Sequence, residues 1–174
     1  MDHMIIPLND WAAGERQYRF HAGLEFFQTF DNSEILDADV NVEVLVAKEG
    51  MRRVEADLHL SGTVTVACDR CLEPLVLPVD AEPSFSVRFD VPEDDFSELG
   101  KEVLPLSAAD ADLDLRQAVY DYVCLSLPLQ RVHPEGECNP DTIRFLSQEE
   151  RKDEEAEAQA NSPFAALKGL FDSK

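Results

Sequence analysis

The chain lacks any apolar run of about 18 residues, so no transmembrane helix is expected. Its first residues, Met1-Asp2-His3-Met4-Ile5-Ile6-Pro7-Leu8, have no basic leader and their apolar stretch breaks at Pro7. A signal peptide is therefore not expected, and the protein reads as cytoplasmic. Positive charge is scarce: 15 Lys and Arg face 36 Asp and Glu, a net charge of -21. Such a field disfavours polyanions and anionic membranes over the body of the protein and favours basic partners. No phosphate-binding Walker loop, dinucleotide fingerprint or His-Glu-x-x-His motif occurs. No oxyanion-hole glycines accompany a Cys-His pair. An enzyme and a small-molecule substrate are not expected. Cysteine is sparse too, and four cysteines in a leaderless chain point to reduced thiols, metal ligation or core packing before disulfides.

What is present is a core. Of 174 residues, 44% are hydrophobic, ten of them Phe, which suits one packed domain. Apolar alternation marks strands at Tyr18–Ala22, at Val40–Val46 with Val40, Val42, Val44 and Val46 on one face, and at Val54–Leu60. Lys48-Glu49-Gly50 reads as a hairpin turn and Ser61-Gly62 as a strand break. Further strands are expected at Thr63–Ala67, Leu75–Val79 and Phe85–Phe89. Residues 90–112 read as an acidic surface loop, with a short strand at Val103–Leu106.

The period then changes to that of a helix over 113–126, with Leu115, Ala118, Val119, Tyr122 and Val123 on one face. Asp112 or Asp114 can cap it, Gln117 lies where a capping box needs it, and Pro128 stops it. Residues 129–145 read as irregular. The expected fold is α+β, mainly β: an antiparallel curved sheet or partly closed barrel with one packed helix and a helical or disordered C-terminal tail. Residues 1–146 form the β-rich domain, and 147–174 an acidic linker ending in a short amphipathic segment. Phe164, Leu167 and Phe171 share a helical face there, as a docking peptide would or as a terminal helix folded back would.

Cys68-Asp69-Arg70-Cys71 sets two sulfurs three residues apart at a strand end, which is half of a zinc site. His133 and Cys138 are the best candidates for the other half, because both lie in a polar, irregular segment. Cys124 sits beside Val123 and Leu125 and reads as a buried structural thiol. The sharp reading is therefore zinc held by Cys68, Cys71, His133 and Cys138. The competing ones are a reduced Cys-x-x-Cys turn without metal and a thiol-redox-responsive module using Cys68 and Cys71. Arg52, Arg53, Arg70, Arg88 and Arg131 could converge on RNA or a partner, or could pair with nearby carboxylates.

At Cys68-Asp69-Arg70-Cys71-Leu72-Glu73-Pro74 the sequence resembles the YceD family of large ribosomal RNA subunit accumulation proteins. The resemblance extends to the Gly62–Val66 strand, the strand at 85–89, and the helix ending Leu125-Ser126-Leu127-Pro128. Asn161-Ser162-Pro163-Phe164-Ala165 resembles a family tail, with Ser162 as an insertion. His133 and Cys138 stand where members often carry a His or Cys, although some members have extra cysteines that this chain lacks. The resemblance spans most of residues 15–171. It implies a role in the synthesis, processing or stability of large-subunit ribosomal RNA, with no catalytic activity assigned. The expected partners are that RNA, through a local contact, or a basic ribosomal protein.

Overall fold

Residues 4–9, 13–31, 34–49, 53–89, 102–106 and 112–146 are described by the structure, a computed structural model. They fall into two units, one of Met1–Ala67 with Pro74–Arg131 and one of Cys68–Glu73 with Val132–Lys174.

The first unit follows the hydrophobic alternation. Its strands are β1 (Ile5–Pro7), β2 (Gly14–Gly23), β3 (Ile35–Glu49), β4 (Arg53–Ala67), β5 (Pro74–Ala81), β6 (Ser84–Phe89), β7 (Glu102–Leu106) and β8 (Asp112–Asp114). Its helices are α1 (Leu24–Gln28) and α2 (Arg116–Ser126). The main sheet has the order β2-β3-β4-β6-β7. β4 is long enough to pair with β6 along its first residues and with β5 along its last. All pairings are antiparallel except β6–β7, which is parallel. The sheet is curved and open: among the described residues β2, β5 and β7 each pair on one side only, so the barrel alternative is not realised. β1 and β8 make a second, two-stranded sheet.

Period-two patterning decides which face is buried. Val40, Val42, Val44 and Val46 of β3 are fully buried, as are Val54, Ala56 and Leu60 of β4 and Phe85 and Val87 of β6. The helical stripe of α2 joins the same core through Leu115, Ala118, Val119 and Val123, while Tyr122 packs edge-on against Phe85 at 5.5 Å. Among the described residues, no helix is long and apolar enough to cross a membrane.

Four expectations are corrected. Ser61-Gly62 does not break the strand; β4 runs through it. Gly62 has φ +153°, and a Cβ there would lie 2.1 Å from the Asp39 carbonyl oxygen, so glycine is what permits the close crossing of β3. The helix begins at Arg116, not 113, because Asp112–Asp114 is drawn into β8 opposite Ile5–Pro7. The capping box is absent: Leu115 occupies the N-cap position without a side-chain bond, and Asp114 instead accepts the Arg116 backbone N–H at 3.0 Å. Helix α1 went unpredicted, as did the helical stretch α3 over 140–146, which falls in the segment read as irregular. The turn read at Lys48-Glu49-Gly50 resolves only into the end of β3, since 50 lies outside the described residues.

Candidate metal centre

Within the second unit, the six residues Cys68–Glu73 form a tight turn. The Leu72 N–H donates to the Cys68 carbonyl and the Cys68 N–H to the Glu73 carbonyl, both at 2.9 Å. The turn closes only because Leu72 takes a left-handed conformation, φ +63°, a place usually given to glycine. A second turn, Pro134–Glu137, uses Gly136 at φ +87° and delivers Cys138. Asn139 then starts α3. Its carbonyl accepts the Ile143 N–H, its side-chain oxygen accepts the Asp141 N–H at 3.0 Å, and Pro140 occupies the first helical position.

These turns bring Cys68, Cys71, His133 and Cys138 together, with all four ligand atoms within 4.8 Å of one another. The Cys68 and Cys138 sulfurs are 4.0 Å apart, and Cys71 Sγ lies 3.4 Å from His133 Nδ1. Tetrahedral geometry at zinc bond lengths requires about 3.8 Å between sulfurs and about 3.6 Å between sulfur and nitrogen. Both observed spacings agree to about 0.2 Å. They are far from a disulfide, and all four cysteines are free. Cys68, Cys71 and Cys138 are buried and His133 is half-buried.

The electrostatics suit a cation. Burial pushes the Cys68 thiol up, but N–H groups of Cys71, Arg70 and His133 aimed at its sulfur bring its pKa down to about 6. Burial likewise opposes ionisation of Cys71, and the N–H groups of Asn139 and Glu73 overcome it. Cys138 is pushed up, by burial first and then by the two neighbouring sulfurs. Three sulfurs competing for negative charge in a buried place are what a divalent ion relieves. Three thiolates and an imidazole close a tetrahedral shell of the structural zinc type, with no open position.

Asn139, which the sequence reading passed over, ties the site together. Its side-chain N–H donates to Glu73 at 3.0 Å, joining the 68–73 turn to the 132–146 segment, while its backbone N–H serves Cys71. An Asn-Pro pair just after a cysteine was the available signal. Cys124 is not one of the four clustered residues and belongs to α2 of the first unit. It is half-buried, and burial raises its thiol.

The five singled-out arginines are distributed between the units. Arg70 belongs to the second. Arg53 and Arg88 are cross-strand neighbours on β4 and β6, and the buried Arg88 Nε has no hydrogen-bond partner among the described residues. Arg131 donates to Glu34 at 2.9 Å. Arg52, and Phe164, Leu167 and Phe171 of the proposed docking segment, lie outside the described residues.

A family model described as Large ribosomal RNA subunit accumulation protein YceD matches residues 56–171. No curated protein and no solved structure matches the chain.

Proposed function

Because the chain belongs to the YceD family, whose name ties it to large-subunit ribosomal RNA, we propose that it is a non-enzymatic factor whose zinc-organised second unit supports the synthesis, processing or stability of that RNA. One observation carries the zinc part. Among the described residues of the second unit, the only buried apolar side chains are those of Cys68, Cys71 and Cys138. Described segments with no buried aliphatic side chain need another source of order, and a metal bound by those same cysteines would supply it. A closed set of four soft donors supports a structural role for the ion over a catalytic one.

The test is made in the organism that encodes the chain. Depletion is expected to lower large-subunit ribosomal RNA relative to small-subunit RNA. The wild-type chain should restore the ratio, and a Cys68→Ser, Cys71→Ser chain should not. An unchanged ratio on depletion defeats the reading. Metal analysis of the purified chain addresses the zinc separately, with one zinc per chain expected. No bound zinc together with a thiol-dependent change of fold would favour the redox module instead.

The net charge of -21 favours a second route to the same end, in which the acidic body binds a basic ribosomal protein before its delivery to RNA. Binding measured at low salt, with ribosomal RNA fragments set against basic ribosomal proteins, separates the two routes.

A further inference from the structure

The second unit contains a cleft of about 650 Å³, within the range that holds a small ligand. Pro140, Ile143 and Leu146 give it an apolar wall, and Arg70, Arg144 and Glu135 also line it. Both arginines are exposed, and among the described residues neither side chain has an ion-pair or hydrogen-bond partner. Other arginines among the described residues do pair. Arg19 pairs with Glu43, Arg116 with Asp114 and Arg131 with Glu34. With 36 carboxylate residues available, two cations left open beside one apolar cleft mark a place for an anionic ligand with a flat apolar part.

We propose that this cleft binds one unstacked nucleotide of single-stranded RNA. Arg70 and Arg144 hold its phosphate, and the base lies against Pro140, Ile143 and Leu146. The assignment rests on the reading that the chain acts on ribosomal RNA, and it names the form of RNA recognised. A duplex hides its base faces, whereas a loop or end can splay one out. Guanidinium forks match phosphate geometry, and an apolar wall accepts any base face, so recognition is by chemistry more than by sequence. Arg70 lies between two candidate ligands, Cys68 and Cys71, and Cys138 lines the cleft, so an ion held by the cluster would also fix two walls of the cleft.

The experiment uses the full, zinc-loaded chain and a fluorescent, unstructured RNA of about a dozen nucleotides, followed by anisotropy at low salt. Joint Arg70→Gln and Arg144→Gln substitution should weaken binding about tenfold or more, the scale of hydrogen bonds to charged groups. Circular dichroism and zinc content should stay at wild-type values, since both side chains are exposed. Arg19→Gln on β2 should leave the affinity unchanged. A duplex of the same sequence should bind at least about tenfold more weakly, because its bases are not free to stack on a protein wall. The logarithmic salt slope should be roughly -0.7, as one neutralised phosphate on a single strand requires. Wild-type affinity in the double variant, or equal affinity for duplex, overturns the cleft. So does binding of a basic protein with none of the RNA. If the double variant keeps its RNA affinity while depletion still lowers ribosomal RNA, the cleft is wrong and the family role stands. If affinity is lost but depletion leaves ribosomal RNA unchanged, the cleft stands and the role is wrong.

Discussion

Stripping the metal should unfold the second unit and leave the sheet standing. In its described residues, 68–73 and 132–146, the second unit buries three cysteine side chains and no aliphatic one. At about 25 cal/mol per Å² those thiols contribute a few kcal/mol between them. Ordering the backbone costs roughly 1–2 kcal/mol per residue, so burial cannot hold these segments in place. A structural zinc would contribute about 10–16 kcal/mol, a term of the required size. The first unit has a continuous aliphatic core from Val40 to Val123 that contains none of the four ligands.

Hydrogen exchange, read by mass spectrometry on metal-loaded and chelated protein, makes the comparison. Amides of 68–73 and 132–146 should lose nearly all protection on chelation, while β3 and β4 keep theirs. A loss of protection below about tenfold in the 68–73 turn, about 1.4 kcal/mol, would refute the reasoning. Cys138→Ser refines it, because a serine hydroxyl stays protonated where the thiol ionises onto the metal. In the cobalt-substituted protein the thiolate-to-metal charge-transfer band should fall by about one third, as one of three sulfurs leaves. An undiminished band would mean that Cys138 is not a ligand. Zinc should also leave as the pH falls, because protons compete for the same sulfurs.

Three further outcomes follow from the backbone and the surface. Gly62→Ala should cost about 3 kcal/mol or more, a fall of roughly 10 °C in Tm, because its Cβ meets the Asp39 carbonyl at a strained φ. An unchanged melting curve would mean that β3 and β4 do not cross so closely. Leu72→Gly should be neutral or stabilise the metal-loaded chain by up to about 1 kcal/mol in thermal melts, since it relieves the left-handed φ and Leu72 is already 75% exposed. The hydrogen bond from Arg116, against some burial, holds the Asp114 carboxyl below the usual carboxylate range. Its stabilisation is therefore present above about pH 4 and is lost as pH falls through the lower folded value. Asp114→Asn should flatten that acid limb in pH-dependent unfolding, by at most about 1 kcal/mol for so exposed a pair.

The strands were legible where one face alone is buried, as at Val40–Val46, because alternation in sequence is then alternation in burial. Gly62 was misread for the opposite reason. Its role depends on Asp39, a residue of the neighbouring strand, and local punctuation gives no sign of that. The start of α2 was misplaced because Asp112–Asp114 takes its conformation from Ile5–Pro7, more than a hundred residues away. Helix α1 spans only five residues, too few to show a period, and is packed through Phe26, Phe27 and Phe30. Half of the candidate metal cluster was visible as a local motif. The other half, His133 and Cys138, was legible only through the polar, irregular segment that carries them. Asn139 and Arg144 were missed because their importance is set by neighbours in space, Glu73 and the cleft.

A protein of net charge -21 in an RNA-linked family presents a physical conflict, and distance resolves part of it. At physiological ionic strength, exposed charges more than about 8 Å apart are largely screened. What a phosphate meets at contact is then decided by the few charges beside it. At the cleft these include Arg70 and Arg144, with Glu135 as the opposing charge. The remaining acidic surface still weakens non-specific binding, because blanket affinity for nucleic acid grows with the number of phosphates neutralised. Acidity and a two-arginine cleft therefore work in the same direction: they disfavour duplex held by its backbone and favour a strand that offers one free base. The predicted salt slope makes the argument measurable. Steep dependence would mean many phosphate contacts and an extended basic surface, whereas a shallow one requires that recognition be confined to a site of this size.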